Sequence, residues 1–310
     1  MSDPVILAES VTKRYGEVLG LNGFSAAIGP GITGLIGPNG AGKSTLYRLL
    51  VGQLKADAGN LRVFGHTTWG EGEFRRRVGY CPEHSALFEW MSGRDFVTSL
   101  LRVDGFSKAD AEERAARAIT AVSLLEAQDR RLGTYSKGMR QRIKLAQSIA
   151  HDPELILLDE PLNGVDPLGR AAVITLLRRL QQAGHHVLVS SHVLYEVERL
   201  TDQIVMISNG RAIAQGDLHR IRSLIDAHPH VIELETPDPR RVARVLGSME
   251  HVVSIEFPGG NRLRVRSRSP EEFYRTLPGL VVQEGLDIQA VGSTDDNLDA
   301  VFRYLSEGSH

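Results

Sequence analysis

The chain has 310 residues, of which 42% are hydrophobic and 24% are charged. Lys and Arg number 36 against 38 Asp and Glu, so a net charge of −2 gives no indication of a polyanionic partner such as DNA. The single cysteine, Cys81, excludes an internal disulfide and favours a reducing compartment. The start of the chain lacks the features of a signal peptide, and apolar runs such as residues 155–158 are too short to span a bilayer. We therefore expect any membrane role to depend on a partner.

Short apolar runs alternate with helical patterns over the first two thirds of the chain. Runs that lack polar alternation predict buried parallel strands at residues 32–37, 154–160, 186–191 and 203–208. Helices are predicted at residues 43–52, 93–103, 107–124, 138–150, 168–183 and 193–200. Residues 209–217 are typical of a tight turn before a short closing strand. The alternation predicts an α/β fold.

The pattern changes near residue 227, which indicates a second domain. Strands are predicted at residues 231–235, 253–257, 262–266 and 287–291, and helices at 238–247, 270–277 and 294–306. The glycines of FPGGNR, residues 257–262, favour a hairpin. This order predicts a small α+β, ferredoxin-like domain with a further final helix. We expect one domain at 1–226 and another at 227–310.

Residues 37–45, GPNGAGKST, fit the phosphate-loop pattern between a predicted strand and a predicted helix. Lys43 has the position that reaches the β- and γ-phosphates, and Ser44 the position that holds Mg²⁺. The candidate phosphate-binding residues are Gly37, Asn39, Gly40, Ala41, Gly42, Lys43, Ser44 and Thr45. A chance glycine-rich turn is the alternative, but the flanking elements argue against it.

Three further residues follow predicted strands of the same sheet. Asp159 and Glu160 end the strand in LILLDEP, where Asp159 can hold Mg²⁺ and Glu160 can polarise an attacking water. His192 ends the next strand, in SSH, where an imidazole can hydrogen-bond the γ-phosphate and the attacking water. An acidic pair in a solvated turn and a structural histidine are the alternative interpretations.

A second candidate anion site lies in YSKGMRQR, residues 135–142, at the start of a predicted basic helix. Ser136, Lys137 and Gly138 stand where free backbone N–H groups and the helix dipole attract anions. About ninety residues separate this site from the phosphate loop. At this separation, the two sites could bind the same nucleotide or two different nucleotides.

The motifs GPNGAGKST, YSKGMRQR, LLDEP, NGVDP and SSH, in this order, resemble the ATP-binding subunit of an ABC transporter over about residues 4–220. The resemblance implies a P-loop NTPase of the ABC type, with a helical subdomain at about 84–150, that hydrolyses ATP with Mg²⁺. It also implies that two subunits sandwich the nucleotides head to tail. The Ser136–Gly138 helix start then binds the γ-phosphate on the partner's phosphate loop. Intact motifs in one chain favour a homodimer, although a heterodimer is open.

The resemblance also implies roles for single residues. Tyr15 matches the aromatic residue that stacks on adenine, and Glu83 stands where the family usually has a Gln that touches Mg²⁺ and the attacking water. Asp159 is the implied Mg²⁺ carboxylate, Glu160 the general base and His192 the switch histidine. Asp166 lies in the loop that crosses to the partner.

Five residues depart from the family's usual pattern, and Tyr135 and Met139, in place of the Leu and the Gln of Leu-Ser-Gly-Gly-Gln, are two of them. Glu83 replaces Gln, Lys137 replaces a Gly of Leu-Ser-Gly-Gly-Gln, and Asn163 replaces a Ser of the crossing loop. Glu83 puts the hydrolysis rate in question, and Lys137 either strengthens anion binding or faces solvent. The helical region after Glu83 is implied to form the groove that receives a separate membrane permease. Such a subunit lies on the cytoplasmic side of the cell membrane, held there by its partner.

The tail, which ends in TDDNLDAVFRYLSEG, resembles the extension of bacterial exporter ATPases and is the sole basis for export rather than import. Arg262, Arg264, Arg266 and Arg268 recur with period two and place four guanidinium groups on one strand face. Glu233 and Glu235 can balance some of them across strands. A salt-bridged surface is the first interpretation, and docking to acidic surfaces, anionic lipid or nucleic acid is the alternative.

Two other function classes stay open at this point. One is a soluble ABC ATPase that acts on nucleic acid or ribosomes, against which the near-neutral charge and the single nucleotide domain argue. The other is a regulatory module that binds ATP and barely hydrolyses it, against which Lys43, Asp159, Glu160 and His192 argue. A nucleotide kinase would leave YSKGM and SSH without a purpose. The cargo is not identified by this sequence.

Overall fold

The computed structural model describes residues 3–70, 73–84, 87–218, 221 and 230–293. Contacts between Cα atoms divide the chain into two compact units, Met1–Asp217 and Leu218–His310. The predicted boundary between residues 226 and 227 falls outside the described residues, so it stays a prediction.

The strands and helices are numbered in chain order. The strands are β1 (Ile6–Tyr15), β2 (Val18–Ile28), β3 (Ile32–Ile36), β4 (Ala58–Val63), β5 (His66–Thr67), β6 (Val78–Cys81), β7 (Leu155–Leu158), β8 (His186–Ser191), β9 (Gln203–Ser208), β10 (Arg211–Asp217), β11 (His230–Glu235), β12 (Val252–Gly259), β13 (Arg262–Ser267) and β14 (Ala290–Ser293). The helices are α1 (Lys43–Leu50), α2 (Gly93–Val103), α3 (Lys108–Ala121), α4 (Lys137–Ile149), α5 (Pro167–Gln182), α6 (Leu194–Glu198), α7 (Pro239–Leu246) and α8 (Pro270–Glu284).

The first unit contains the predicted parallel sheet. Its order is β10-β9-β3-β8-β7-β6, and all neighbours are parallel except β9 and β10. Successive residues of β7 point to opposite faces: Ile156 and Leu158 pack with α2 to α5, whereas Leu155 and Leu157 pack with α1. Both faces of the sheet are therefore covered, which explains why its strands are continuous apolar runs.

A second sheet in this unit was not predicted from the sequence. It is antiparallel, with the order β2-β1-β4-β5, and its apolar residues join the cluster around α1. The helices α2, α3 and α4 lie between residues 93 and 149, in the range of the predicted helical subdomain. The turn before β10 has positive φ at Asn209 and Gly210, as its sequence indicated.

The second unit has the predicted order β-α-β-β-α-β. Its antiparallel sheet has the order β12-β13-β11-β14, and α7 and α8 supply apolar residues to one core with it. The hairpin between β12 and β13 turns at Gly259 and Gly260, which have φ values of 113° and 63°. This is the strand order of a ferredoxin-like α+β domain. The predicted helix at 294–306 lies outside the described residues.

The arginine face of β13 is a salt-bridged surface. Arg264 donates to Glu233 Oε1 over 2.7 and 3.1 Å, and its Nη1 lies 3.7 Å from Glu256 Oε2. Arg266 lies 3.4 Å from Glu256, and Arg262 lies 3.7 Å from Glu235. The cross-strand pairs formed with Glu233 and Glu235 follow the β11–β13 register. Acidic side chains therefore offset most of the positive charge on this face.

Reversal of a central charge on this face should destabilise the second unit. Arg264→Glu would place a third carboxylate beside Glu233 and Glu256, at an expected cost of about 1–3 kcal/mol, since like charges across strands repel. Arg268→Glu, at the exposed end of the same strand face, is the control and should cost less than about 0.5 kcal/mol. The measurement is the urea midpoint of the full chain, and equal shifts for the two variants would contradict this interpretation.

Candidate nucleotide site

The phosphate loop follows β3 and leads into α1. Gly42 precedes the helix with φ of 109°, and a Cβ there would overlap the carbonyl oxygen of Gly20, so the position needs glycine. Lys43 is buried, and its Nζ donates to the carbonyls of Gly37 at 2.7 Å and Pro38 at 3.2 Å. The loop therefore closes around the ammonium group, at the place where phosphates are expected. Asn39 and Gly40 are exposed, Ser44 and Thr45 are half-buried, and Ala41 is buried.

Two buried carboxylates follow β7. The Ser190 hydroxyl donates to Asp159 Oδ1 at 2.7 Å and accepts from the backbone N–H of Glu160 at 2.9 Å. Glu160 has a φ of 50°, in the left-handed region that side chains rarely adopt. Asp159 and Glu160 are only 2% and 5% exposed, so both carboxylates depend on local partners rather than water.

The Glu160 carboxylate connects the phosphate loop to His192. Lys43 Nζ lies 3.3 Å from Glu160 Oε1, and His192 Nδ1 lies 2.9 Å from Oε2. Oε1 is buried and makes no hydrogen bond to the described residues, since the ammonium contact lacks hydrogen-bond geometry. The structure thus brings three sequence-predicted residues into one chain of contacts, and a buried acceptor remains available beside the phosphate loop.

Glu83 follows β6 and is held through its backbone and its side chain. Lys144 Nζ donates to the carbonyls of Pro82 at 3.0 Å and Glu83 at 2.7 Å. Burial lowers the pKa of Lys144, although the nearby Cys81 and Glu83 partly oppose the shift. Asn163 Nδ2 donates to Glu83 Oε1 at 3.4 Å. Glu83 is therefore tied both to α4 and to the loop before α5.

The second anion site is a capped helix start. Ser136 caps α4, and its hydroxyl accepts from the Met139 N–H at 3.3 Å. The end of the Lys137 side chain lies against Gly164, where a Cβ would overlap it. Asp166 caps α5 and accepts from the Gly169 N–H at 2.9 Å, and this hydrogen bond lowers the pKa of Asp166. The structure therefore places the helix start beside the predicted crossing loop of the same chain.

The structure does not join this helix start to the phosphate loop of its own chain. Within the described residues, the hydrogen bonds and ion pairs of Ser136, Gly138 and Asp166 involve α4, α5 and their caps. Tyr15, by contrast, lies on the side of the phosphate loop. A Cβ on Gly20 would lie 2.7 Å from the Tyr15 ring and 3.0 Å from Thr45 Oγ1. Tyr15 is 42% exposed, so its ring is partly open to solvent, and stacking on adenine stays a prediction.

Two residues that fix this site were not identified from the sequence. Ser190 holds both Asp159 and the Glu160 backbone, and Lys144 holds the Glu83 backbone. Ser190 could have been identified because it lies near the end of the strand next to the one that precedes Asp159 and Glu160, where its hydroxyl can hold a carboxylate. A lysine on the inner face of an amphipathic helix is the weaker signal for Lys144.

The predicted metal ligands fit Mg²⁺ and do not fit a preassembled metal site. Within the described residues, no group of three or more His, Cys, Asp and Glu is arranged to hold a metal ion by itself. Mg²⁺ commonly uses one or two carboxylates together with substrate phosphates and waters. Ser44, in the phosphate loop, and Asp159, after β7, offer hard oxygen donors of this kind.

A large groove lies between the helical region and the phosphate-loop helix. It encloses about 970 Å³ and is lined by Arg48, Arg75 and Arg76 together with Phe88, Phe96 and Phe106. Val103, at the end of α2, also lines it and is 83% exposed. None of the helices in the described ranges is long and apolar enough to span a bilayer.

A phosphate loop, a buried acidic pair and a histidine at adjacent strand ends define a P-loop ATPase. A family profile for ABC transporters matches residues 21–163. The chain is 34% identical to the daunorubicin/doxorubicin resistance ATP-binding protein DrrA of Streptomyces peucetius over 304 residues, 97% of this chain and 92% of that protein. It is 36% identical to the Nod factor export ATP-binding protein I of Ralstonia nicotianae over 278 residues, 89% of this chain and 85% of that protein.

Solved structures agree with this assignment. The structure of an ATP-binding subunit of an ABC transporter has a TM-score of 0.64 and 27% identity, and the match covers 71% of this chain and 93% of that chain. The chain therefore belongs to the ABC transporter family, among its ATP-binding subunits. The predictions of an ABC-type α/β fold and of an ATPase are confirmed.

Proposed function

We propose that two copies of this chain bind two ATP molecules with Mg²⁺ between them and, by hydrolysing ATP, power a separate membrane permease that exports its cargo. The observation that carries the proposal is the contact chain Lys43–Glu160–His192 beside the phosphate loop. It gives the site a phosphate-binding cation, a proton acceptor and a residue that orients the acceptor.

Nucleotide binding changes the partners of Lys43. The phosphates carry more negative charge than the carbonyls of Gly37 and Pro38, so they replace these carbonyls and Glu160 as partners of the ammonium group. Glu160 Oε1 then loses its contact with Lys43 and accepts a proton from the attacking water, while His192 holds Oε2. Asp159 and Ser44 would hold Mg²⁺, and Glu83 would lie near it. A bound Mg²⁺ would offset charge on the phosphates.

The second half of each site comes from the other copy. Ser136 and Gly138 offer a helix start with free N–H groups, yet they lie beside the crossing loop rather than beside their own phosphate loop. A head-to-tail pair would bring this helix start to the γ-phosphate on the partner. Lys137 and Asp166 then lie near that nucleotide, and Tyr15 stacks on the adenine of its own.

The large groove is proposed as the docking site of the permease. Its arginines and aromatic side chains suit a cytoplasmic segment that is apolar and acidic. The chain would lie on the cytoplasmic side of the cell membrane, held there by the permease. Export is supported by relatives named for drug resistance and Nod factor export.

Affinity capture from detergent-solubilised membranes of the source, with ATP present, tests this function. We expect a polytopic membrane protein to copurify with the full chain. Val103→Glu, in the groove, should reduce its recovery, whereas Leu125→Glu, an exposed control outside the groove lining, should not. Copurification of ribosomes or nucleic acid would indicate a soluble ABC ATPase instead. Equal recovery with both variants would contradict docking in the groove.

A further inference from the structure

Three of the departures from the usual family pattern lie together in the structure. Glu83, Lys137 and Asn163 all line one cleft of about 400 Å³, and Glu160 lines it too. They come from the loop after β6, the start of α4 and the loop before α5. The cleft therefore connects the carboxylates of one chain's own site with the helix start that is proposed to face the partner's nucleotide.

Asn163 is in direct contact with Glu83. Its Nδ2 donates to Glu83 Oε1 at 3.4 Å, while Lys144 fixes the Glu83 backbone through a 2.7 Å bond to the carbonyl. The backbone of Glu83 is thus anchored from α4, and its carboxylate is oriented from the crossing loop. A serine at position 163 would be too short to reach as far as the asparagine amide.

Lys137 is the basic side chain of this cleft that makes neither an ion pair nor a hydrogen bond within the described ranges. Arg140 Nη1 is 2.8 Å from Glu89, and Lys144 is bonded to the carbonyls of residues 82 and 83. The end of the Lys137 side chain instead rests against Gly164, the residue after Asn163, and the side chain is exposed. Its ammonium group can therefore move between the cleft and the outer side of the helix start.

We propose that Asn163 and Lys137 are positioning residues for Glu83. Asn163 orients the Glu83 carboxylate, and Lys137 offsets the charge that Glu83 and Glu160 bring into the same cleft. The proposal rests on the proposed function, because Ser136 and Gly138 on either side of Lys137 are assigned to the partner's γ-phosphate. A phosphate that arrives there competes for the ammonium group of Lys137, so occupancy of one site alters the charge around Glu83 in the other.

A double-mutant cycle on ATP hydrolysis by the full chain tests this assignment. Glu83→Gln is measured in the wild type and in a Lys137→Met background, because Met retains an unbranched side chain over Gly164 without the charge. In the wild type we expect Glu83→Gln to lower kcat. In the Lys137→Met background the effect of Glu83→Gln on kcat should be smaller by about threefold or more, or reversed. There Glu83→Gln removes a carboxylate whose charge Lys137 no longer offsets.

Two further variants separate charge from a merely structural role. Lys137→Arg keeps the cation and should retain the wild-type response to Glu83→Gln. Lys108→Met is the matched control, because Lys108 is also the first residue of a helix after a serine cap, yet its nearest acidic partner is Glu112 at 3.8 Å. It should leave the effect of Glu83→Gln unchanged.

The outcomes distinguish this inference from the proposed function. An equal effect of Glu83→Gln in both backgrounds overturns the positioning role, even if Lys137→Met by itself weakens ATP binding through a direct contact. If the chain binds ATP but does not hydrolyse it, the proposal of hydrolysis is wrong. The double-mutant cycle is then measured on the affinity for a fluorescent ATP analogue. A chain that neither binds nor hydrolyses ATP refutes both.

Discussion

Glu160→Gln is expected to lower the steady-state rate of ATP hydrolysis by about 10²- to 10⁴-fold, the usual contribution of a general base. The amide cannot accept the proton that Glu160 Oε1 is placed to take. The neighbouring groups should stay in position, because Ser190 holds the backbone N–H and the amide oxygen can still face His192. ATP affinity should therefore change much less than kcat.

The measurement is phosphate release against ATP concentration, together with titration of a fluorescent ATP analogue. Glu154→Gln is the control, because Glu154 lies just before the same strand and pairs with Arg77 at an exposed position. Glu154→Gln should leave kcat unchanged, and the weakened pair with Arg77 should cost at most about 1 kcal/mol of stability. If the Glu160 variant hydrolyses ATP normally, the general base is another residue.

The parallel sheet could be predicted from the sequence because both of its faces are buried. A strand covered on two sides reads as an unbroken apolar run, and β8 and β9 begin and end where the sequence placed them. The antiparallel sheet was missed for a physical reason. The pairing of β1 with β2 shifts register three times, and Ser10 has a φ of 52°, so a period-two pattern is not maintained.

In the second unit, the ends of one helix and one strand differ from the prediction, because core packing outweighs the local sequence pattern. The predicted helix at 270–277 stops before Pro278, but α8 continues through this proline to Glu284 and ends at Gly285 with φ of 56°. Leu277 and Val281 pack in the core of this unit, and that burial keeps the helix going. The strand predicted at 287–291 begins at Ala290, where it pairs with Glu235 of β11.

The spacing of motifs predicts which residues carry chemistry, but it does not predict which of them touch. Lys43 and Glu160 are separated by more than one hundred residues, and their contact depends on β3, β8 and β7 lying side by side. The same order puts Ser190 next to Asp159. Contacts of this kind between neighbouring strands determine the orientation of Glu160, the proposed general base. They cannot be predicted from the spacing of motifs in a single sequence.

Gly138→Asp is expected to lower the rate of ATP hydrolysis by the homodimer by about 10²-fold or more. The chain should stay folded. An acidic residue in the first turn favours the helix, and a Cβ at this position would lie no closer than 3.8 Å to Asp166. The added carboxylate would instead repel the partner's γ-phosphate. Gly138→Ala, which adds a methyl group without charge, is the control and should retain most of the activity.

Mixed dimers that combine Gly138→Asp with Glu160→Gln decide whether the sites are shared. If each site uses the phosphate loop of one copy and the helix start of the other, both changes on the same copy damage both sites. The two changes on different copies then damage one site twice and leave the other intact. Tagged subunits, purified as defined pairs, should therefore hydrolyse ATP in the second arrangement and not in the first. Activity in the first arrangement alone would mean that each chain forms its site by itself.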